Sequence, residues 1–181
     1  MSMIKINPIA IAMLMLCGSI FAEELQNCPQ EYTEMVTFVP PEGWKSVDAK
    51  LLSPNVKALV IGQAGTYPPS INLATENYSG TFKEYLKIVR SIGERKGTNW
   101  RDLGAFKTNA GEGRLTQLDT KSEWGDTRMI NLILLKDGTV YILTAAALKS
   151  DFAAYYQVFF DTLRSLQINR ESTTIDRNNC T

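Results

Sequence analysis

Two stretches of the chain place apolar residues three and four positions apart, the spacing that puts them on one face of an α-helix. These residues are Phe82, Tyr85, Leu86, Val89 and Ile92 in the first stretch, and Phe152, Tyr155, Tyr156, Phe159, Leu163 and Leu166 in the second. Thr81 and Glu84 have the spacing of a capping box, in which the two residues bond each other's free backbone donors. The pattern predicts helices over residues 81–96 and 151–166.

Seven shorter runs have the β-prone composition of strands and are separated by turn-forming residues. They cover residues 35–39, 56–61, 71–77, 103–107, 114–124, 127–135 and 139–148. Gly125-Asp126 and Asp137-Gly138 are the predicted turns between the last three runs, and Asp-Gly suits a type I′ turn. Runs 127–135 and 139–148 are apolar at nearly every position, which indicates central strands covered on both faces.

The order of these elements (three strands, a helix, four strands, a helix) predicts an α+β fold. We expect an antiparallel β-sheet flanked by two helices, an α/β/α sandwich, over residues 34–168. Residues 23–33 are polar and without periodicity, so they are interpreted as a linker. Residues 169–181 are polar as well and are interpreted as a flexible tail.

The N-terminal 22 residues have the order of a secretory signal peptide. Lys5 supplies a positive charge, residues 9–22 contain no charged side chain, and two acids follow at once. The apolar stretch is short for a bilayer span. Cleavage is expected between Ala22 and Glu23. The alternative is lipid attachment at Cys17, but Leu16 stands where a lipobox has a small residue.

Removing 22 of the 181 residues leaves 159, a length that suits one domain. The chain has 19 Lys+Arg against 19 Asp+Glu, so it offers no basic stripe for nucleic acid and no polybasic patch for a membrane surface. No later segment is apolar enough to span a bilayer. The sequence therefore predicts an exported protein, periplasmic or secreted, that is soluble once the signal is removed.

Cysteine usage fits export. Cys17 would leave with the signal, and Cys28 and Cys180 would remain as an even pair near the two ends. A Cys28–Cys180 disulfide would close a loop of about 150 residues and stabilise the fold by up to about 5 kcal/mol. The alternative is two unrelated thiols on the end segments.

Histidine is absent from the chain, which excludes Ser-His-Asp and Cys-His hydrolysis and histidine-ligated metals. The remaining candidates for acid–base chemistry are Asp119, Glu123 and Asp126, around one predicted hairpin. An exposed hairpin has no cleft that would hold two carboxylates at a set separation, so we interpret the three as a solvated face. No catalytic, metal or cofactor site is predicted.

Three tryptophans divide between core and surface. Trp44 follows a Pro-Pro-Glu-Gly turn and is expected to fill the base of the core, and Trp100 lies between a helix end and a strand. Trp124 stands beside a predicted turn, where a large ring tends to be exposed. Together with Tyr67, Pro68 and Pro69 it is the candidate surface for contact with a partner.

The chain resembles the PsbP-like superfamily, named for the extrinsic P subunit of photosystem II. The superfamily includes the yeast Ran-release factor and the DcrB-like bacterial envelope proteins. The residues that carry the resemblance are Phe38-Val-Pro-Pro-Glu-Gly-Trp44, Tyr85-Leu86, Asp102-Leu-Gly104, Asp137-Gly-Thr-Val-Tyr-Ile-Leu-Thr144 and the predicted helix ending in Arg-Ser-Leu-Gln-Ile. Residues 110–114 are more glycine-rich than expected, and the charge pattern of the Ran-binding member is not evident, so Ran binding is not carried over.

The resemblance implies a non-enzymatic accessory fold whose members share shape more than task. The leading hypothesis is an accessory protein of the bacterial cell envelope that binds a protein partner. A small-ligand carrier with a pocket between sheet and helices is the second hypothesis. A histidine-free enzyme that uses carboxylates is the third. The sequence leaves the partner, the ligand and the oligomeric state open.

Mass spectrometry of the exported protein should find Glu23 as its first residue, because the signal pattern ends at Ala22. An intact Met1 or a lipid-modified Cys17 would contradict the expectation.

Overall fold

The computed structural model describes residues 32–63, 67–95 and 98–172. Its strands are β1 (Tyr32–Thr37), β2 (Lys45–Ser46), β3 (Val56–Ile61), β4 (Ser70–Asn77), β5 (Asn99–Thr108), β6 (Gly111–Ser122), β7 (Gly125–Lys136), β8 (Thr139–Leu148) and β9 (Gln167–Ser172). The helices are α1 (Phe82–Gly93) and α2 (Phe152–Arg164), and a short 3-10 turn covers Ala49–Leu51. All seven predicted strands and both predicted helices are confirmed.

Seven strands form one antiparallel sheet in the order β2-β3-β4-β8-β7-β6-β5, and β1 and β9 form a separate antiparallel pair. The two runs that are apolar throughout, β7 and β8, lie in the centre, as their sequences predicted. Their hairpin turns at Asp137-Gly138, where both residues have positive φ, 49° and 78°.

Alternate residues of β7 face opposite layers. Leu132 packs with Phe159 and Leu163 of α2, whereas its neighbour Ile133 packs with Tyr85 of α1. The helices therefore lie on opposite faces of the sheet, and the predicted α/β/α sandwich is confirmed. The capping box at the start of α1 is also present: Glu84 N donates to Thr81 Oγ1 (3.3 Å), and Thr81 N donates to a Glu84 carboxylate oxygen (2.8 Å).

The hairpin between β6 and β7 turns two residues earlier than predicted. Ser122 pairs with Gly125, so Glu123 and Trp124 form the turn and Gly125-Asp126 begins β7. The positive φ of the turn falls on Gly125, at 123°. Gly125 was predicted to open the turn, but it follows the turn as the first residue of β7.

Strand β9 corrects the prediction of a flexible tail from residue 169, since the ribbon it forms with β1 runs to Ser172. Ile168 is 9% exposed and packs against Leu134 and Tyr141 of the sheet. The ribbon also takes in residues 32 and 33, which the sequence assigned to the linker. The pattern concealed β9 because its only buried apolar side chain in the described part is Ile168, and its partner strand lies about 130 residues away.

The predicted signal peptide, Cys28 and Cys180 lie outside the described residues. Tyr32 and Ser172 are paired in the ribbon. Cys28 lies four residues before Tyr32 and Cys180 lies eight residues after Ser172, so each cysteine is a short distance along the chain from one of two neighbouring residues. The Cys28–Cys180 disulfide stays a prediction.

Ile168→Ala should destabilise the domain by about 2–4 kcal/mol, because it removes buried methyl groups from the contact between ribbon and sheet. The matched control is Ile88→Ala on α1, where the side chain is 45% exposed and the change should cost less than about 0.5 kcal/mol. Urea unfolding of both variants measures the difference. Equal effects would show that the ribbon contributes nothing to the fold.

Candidate functional site

The candidate contact surface lies at the end of the sheet where β6 turns into β7. Trp124, in the turn, is 48% exposed, and the Tyr67 ring lies against it with centroids 5.6 Å apart and planes tilted by 38°. The structure therefore brings together two residues that lie 57 positions apart and that the sequence had paired as a contact surface. We call Tyr67 and Trp124 the aromatic pair.

The Ser122 side chain positions Trp124 through hydrogen bonds to the backbone of the turn. Ser122 Oγ donates to Gly125 O (2.9 Å) and accepts from Trp124 N (3.3 Å), which fixes the tight connection. A cavity of about 440 Å³ opens beside the indole and is lined by Trp124, Gly125, Asp126, Leu148, Lys149 and Ser150. The site thus presents an apolar ring next to both an acid and a base.

Pro69, which the sequence placed on this surface, is fully buried, and that part of the prediction is wrong. Gly62 N donates to Pro69 O (2.8 Å), and the Pro69 ring packs so closely on Gly62 that a Cβ there would lie 2.8 Å from Pro69 Cγ. The proline closes the loop into the core and leads into β4. Pro68 is half-buried and directly follows Tyr67 in the chain.

Trp44 and Trp100 have the structural roles expected of them. The Trp44 ring makes edge contacts with Tyr155 and Phe159 of α2, with centroids 6.2 and 6.1 Å apart. Trp100 fits beneath the end of α1, where a Cβ on Gly93 would overlap its ring. This close approach requires the glycine there.

Asp119 is 8% exposed and belongs to an ion cluster, in contrast to the solvated face expected for it. Its carboxylate accepts two bonds from Arg128, Nε to Oδ1 and Nη2 to Oδ2, both at 2.8 Å, and Lys149 Nζ lies 3.2 Å from Oδ2. The Arg128 hydrogen bonds, supported by Lys149, lower the pKa of Asp119 to about 2. Asp119 therefore stays ionised near neutral pH and cannot act as a general acid.

The other two acids of the hairpin, Glu123 and Asp126, are exposed, as expected. The cluster itself could have been found from sequence only with the correct turn. With Ser122 opposite Gly125, Asp119 stands opposite Arg128, whereas the predicted turn placed the arginine elsewhere.

A smaller cavity of about 220 Å³ lies between α1 and the sheet. Its lining consists of Tyr85, Val89, Ile92, Gly93, Trp100, Leu118, Asn131, Ile133 and Ile142. Asn131 is held by Thr144 Oγ1, which donates to its Oδ1 (2.9 Å), and Trp100 Nε1 is buried without a hydrogen-bond acceptor among the described residues. Two polar groups in an apolar space are a feature of small-ligand pockets.

Within residues 32–63, 67–95 and 98–172, no three acidic or cysteine side chains come close enough to hold a metal ion. None of the helices in that part of the chain has the length and apolar character that a bilayer crossing needs.

No protein-family model matches the chain, and no curated protein matches its sequence. Several solved structures match the fold over most of their length, among them the following two. LpqN of Mycobacterium tuberculosis, described as involved in cell envelope biogenesis, has a TM-score of 0.55 at 12% identity, over 80% of this chain and 87% of LpqN. The Ran-binding protein Mog1p of Saccharomyces cerevisiae has a TM-score of 0.50 at 14% identity, over 76% of this chain and 95% of Mog1p.

The chain has the PsbP-like fold. The match with cyanobacterial PsbP (CyanoP) of Synechocystis spans 99% of that chain and 86% of this one. It has 12% identity and a lower TM-score of 0.48. At such identities the likeness concerns the fold alone, and the function of this protein has to be argued from its own surfaces.

Asp119→Asn should destabilise the domain by about 2 kcal/mol at pH 7, because charge-assisted bonds to Arg128 and Lys149 are lost. The folded-state pKa of Asp119 lies below its ordinary value of about 3.9, so its contribution is present above pH 4 and is lost as the pH falls toward 2. The stability gap between wild type and variant should therefore close over that window.

Urea unfolding at pH 7, 4 and 2.5 tests this expectation. The control is Asp126→Asn, an exposed acid of the same hairpin, which should change stability by less than about 0.5 kcal/mol. If the difference in unfolding free energy between wild type and Asp119→Asn were the same at all three pH values, the ion cluster of Asp119 with Arg128 and Lys149 would be contradicted.

Proposed function

We propose that this protein is an exported, non-enzymatic accessory protein of the bacterial cell envelope that binds a protein partner through the aromatic pair. The observation that carries the proposal is the Trp124 ring, 48% exposed and in contact with Tyr67 at the end of the sheet. Tryptophan and tyrosine are enriched among the residues that dominate binding energy, and a side chain fixed before binding loses little entropy.

The fold neighbours support a binding role. LpqN is described as involved in cell envelope biogenesis and Mog1p as Ran-binding, so PsbP-like structures serve in the envelope and in protein recognition. Export rests on the signal pattern of residues 1–22, with periplasmic or secreted location after cleavage at Ala22. A Cys28–Cys180 disulfide is part of the same proposal, since an oxidising compartment would permit it.

Enzymatic chemistry has little support from the described acids. Asp119 and Asp102, whose pKa values are lowered, each accept two hydrogen bonds from an arginine, Arg128 and Arg114 respectively. A carboxylate held in this way is a poor proton donor near neutral pH.

A second candidate function is that of a small-ligand carrier, favoured by the cavity beneath α1 with the buried, unpartnered Trp100 Nε1. Its volume of about 220 Å³ is below the range of about 300–1,000 Å³ that is usual for ligand pockets. It therefore ranks behind partner binding.

Trp124→Ala should reduce capture of the partner from the exported fraction by about tenfold or more, since a truncated hot-spot aromatic costs about 2 kcal/mol. The matched control is Tyr156→Ala on α2, an aromatic residue that is 52% exposed on another part of the surface. Quantitative mass spectrometry of pull-downs compares the two variants with wild type. If Trp124→Ala captured the partner as well as wild type does, the partner would bind to a different surface of the protein.

A further inference from the structure

A groove of about 680 Å³ runs beside α1, over the outer strands β5 and β6 and away from the aromatic pair. Phe82 and Leu86 of the helix form one wall, and Trp100, Ala105 and Thr116 are among the strand residues of the opposite side. The groove combines an apolar and hydroxyl-bearing lining with charged residues at its rim.

The charges of the groove are unbalanced. Its lining contains four cations, Lys83, Lys87, Arg90 and Arg114, and two acids, Asp102 and Glu112, so it carries a net charge of +2 in a chain whose net charge is zero. Arg114 and Asp102 neutralise each other through a bidentate pair with both bonds at 2.7 Å. The excess positive charge of the groove is therefore carried by Lys83, Lys87 and Arg90 of α1.

Lys83, Lys87 and Arg90 follow one another along α1 at i, i+4 and i+7, and all three are exposed. Like charges four residues apart destabilise a helix by a few tenths of a kcal/mol. Arg90 bonds Glu94 (2.7 Å), but in the described part of the chain Lys83 and Lys87 have no acid within 4 Å. The acid of the first turn, Glu84, is bonded to Thr81 in the capping box.

Strand β5 is the last strand of the sheet, and in the described residues it pairs only with β6. Its exposed residues include Arg101, Leu103 (46% exposed) and Lys107, and a bulge lies between Asp102 and Gly104. Lysines and bulges protect free sheet edges from self-association, which accounts for Lys107 and the bulge. That protection does not account for the row of cations on α1, Lys83, Lys87 and Arg90.

We propose that β5 and the groove beside α1 bind an extended, acidic segment of a protein partner. The segment adds a strand to the β5 edge, so that alternate side chains face the groove and its carboxylates meet Lys83 and Lys87. Four helical residues rise by about 6 Å, close to the distance of about 6.8 Å between alternate side chains of a strand, so two acids at alternate positions can meet both lysines.

The test uses fluorescein-labelled peptides and the protein purified from the exported fraction. The alternating peptide Glu-Val-Glu-Val-Glu-Val should bind about tenfold more tightly than Lys-Val-Lys-Val-Lys-Val, measured by fluorescence anisotropy at low salt, and should weaken as salt is added. The block isomer Glu-Glu-Glu-Val-Val-Val, of equal charge, should bind less tightly, since it cannot direct all its acids to one face.

The double variant Lys83→Glu/Lys87→Glu should weaken binding of the alternating peptide by about tenfold or more. Lys50→Glu/Lys57→Glu, at two exposed lysines of the 3-10 turn and of β3, changes the net charge equally and is the matched control; it should change the affinity by less than about twofold. Thermal unfolding checks that the variants are folded. An unchanged affinity in the double variant would overturn the proposal.

Hydrogen exchange of the complex locates the peptide. Slower exchange of amides in β5 supports strand addition, and exchange that slows only in α1 would overturn it. Binding to phosphatidylglycerol vesicles without binding to the peptide would assign the groove to a lipid surface and overturn it as well. Trp124→Ala should leave peptide affinity unchanged. Binding at the groove and binding at the aromatic pair are therefore tested separately, and either proposal can be wrong without the other.

Discussion

Strands β7 and β8 bury side chains on both of their faces, and every other layer of the protein is arranged to cover them. Leu132 and Leu143 are fully buried on one face, and Ile133 and Val140 are buried on the other. Burial of a side chain of this size contributes about 1.5–3 kcal/mol, so the two residues named on each face contribute about 3–6 kcal/mol, which is comparable with the usual net stability of a domain. A helix on each side keeps these residues out of water.

The two faces are covered unequally, and the difference creates the surfaces available for binding. On one face, α2 and the β1–β9 ribbon together seal the sheet. On the other face stands α1, and a helix with its side chains is about 10–12 Å wide, against seven strands that extend over about 29 Å. Near the sheet edge, the part that α1 leaves open carries the groove beside α1 with its excess positive charge.

Local signals in the sequence were sufficient for most elements and for the fold class. Helical spacing and the capping box located α1, and the Asp137-Gly138 turn aligned β7 with β8. The helix was predicted to continue to residue 96 but ends at Gly93, where the Trp100 ring packs against the glycine. That contact joins residues seven positions apart in different elements, and periodicity carries no information on it.

The surfaces were harder to predict because they depend on register and on pairs distant in sequence. A two-residue displacement of the β6–β7 turn was enough to hide the pairing of Asp119 with Arg128. Pro69 and Pro68 are adjacent and chemically identical, yet one is buried against Gly62 and the other is half-exposed. The proximity of Tyr67 and Trp124 was inferred correctly from their chemistry, although their contact depends on how β4 and β7 pair with β8 between them.

The β1–β9 ribbon also determines how the domain responds to mechanical load. The chain enters it at Tyr32 and leaves it at Ser172, and these two residues are paired at the same end of the ribbon. A pulling force on the two flanking segments would therefore separate the strands one residue pair at a time, in the manner of a zipper, instead of shearing all pairs together. Because the ribbon is hydrogen-bonded apart from the seven-stranded sheet, separating its strands breaks no backbone hydrogen bond between β7 and β8. Such an element would yield first under tension and protect the central strands from the load.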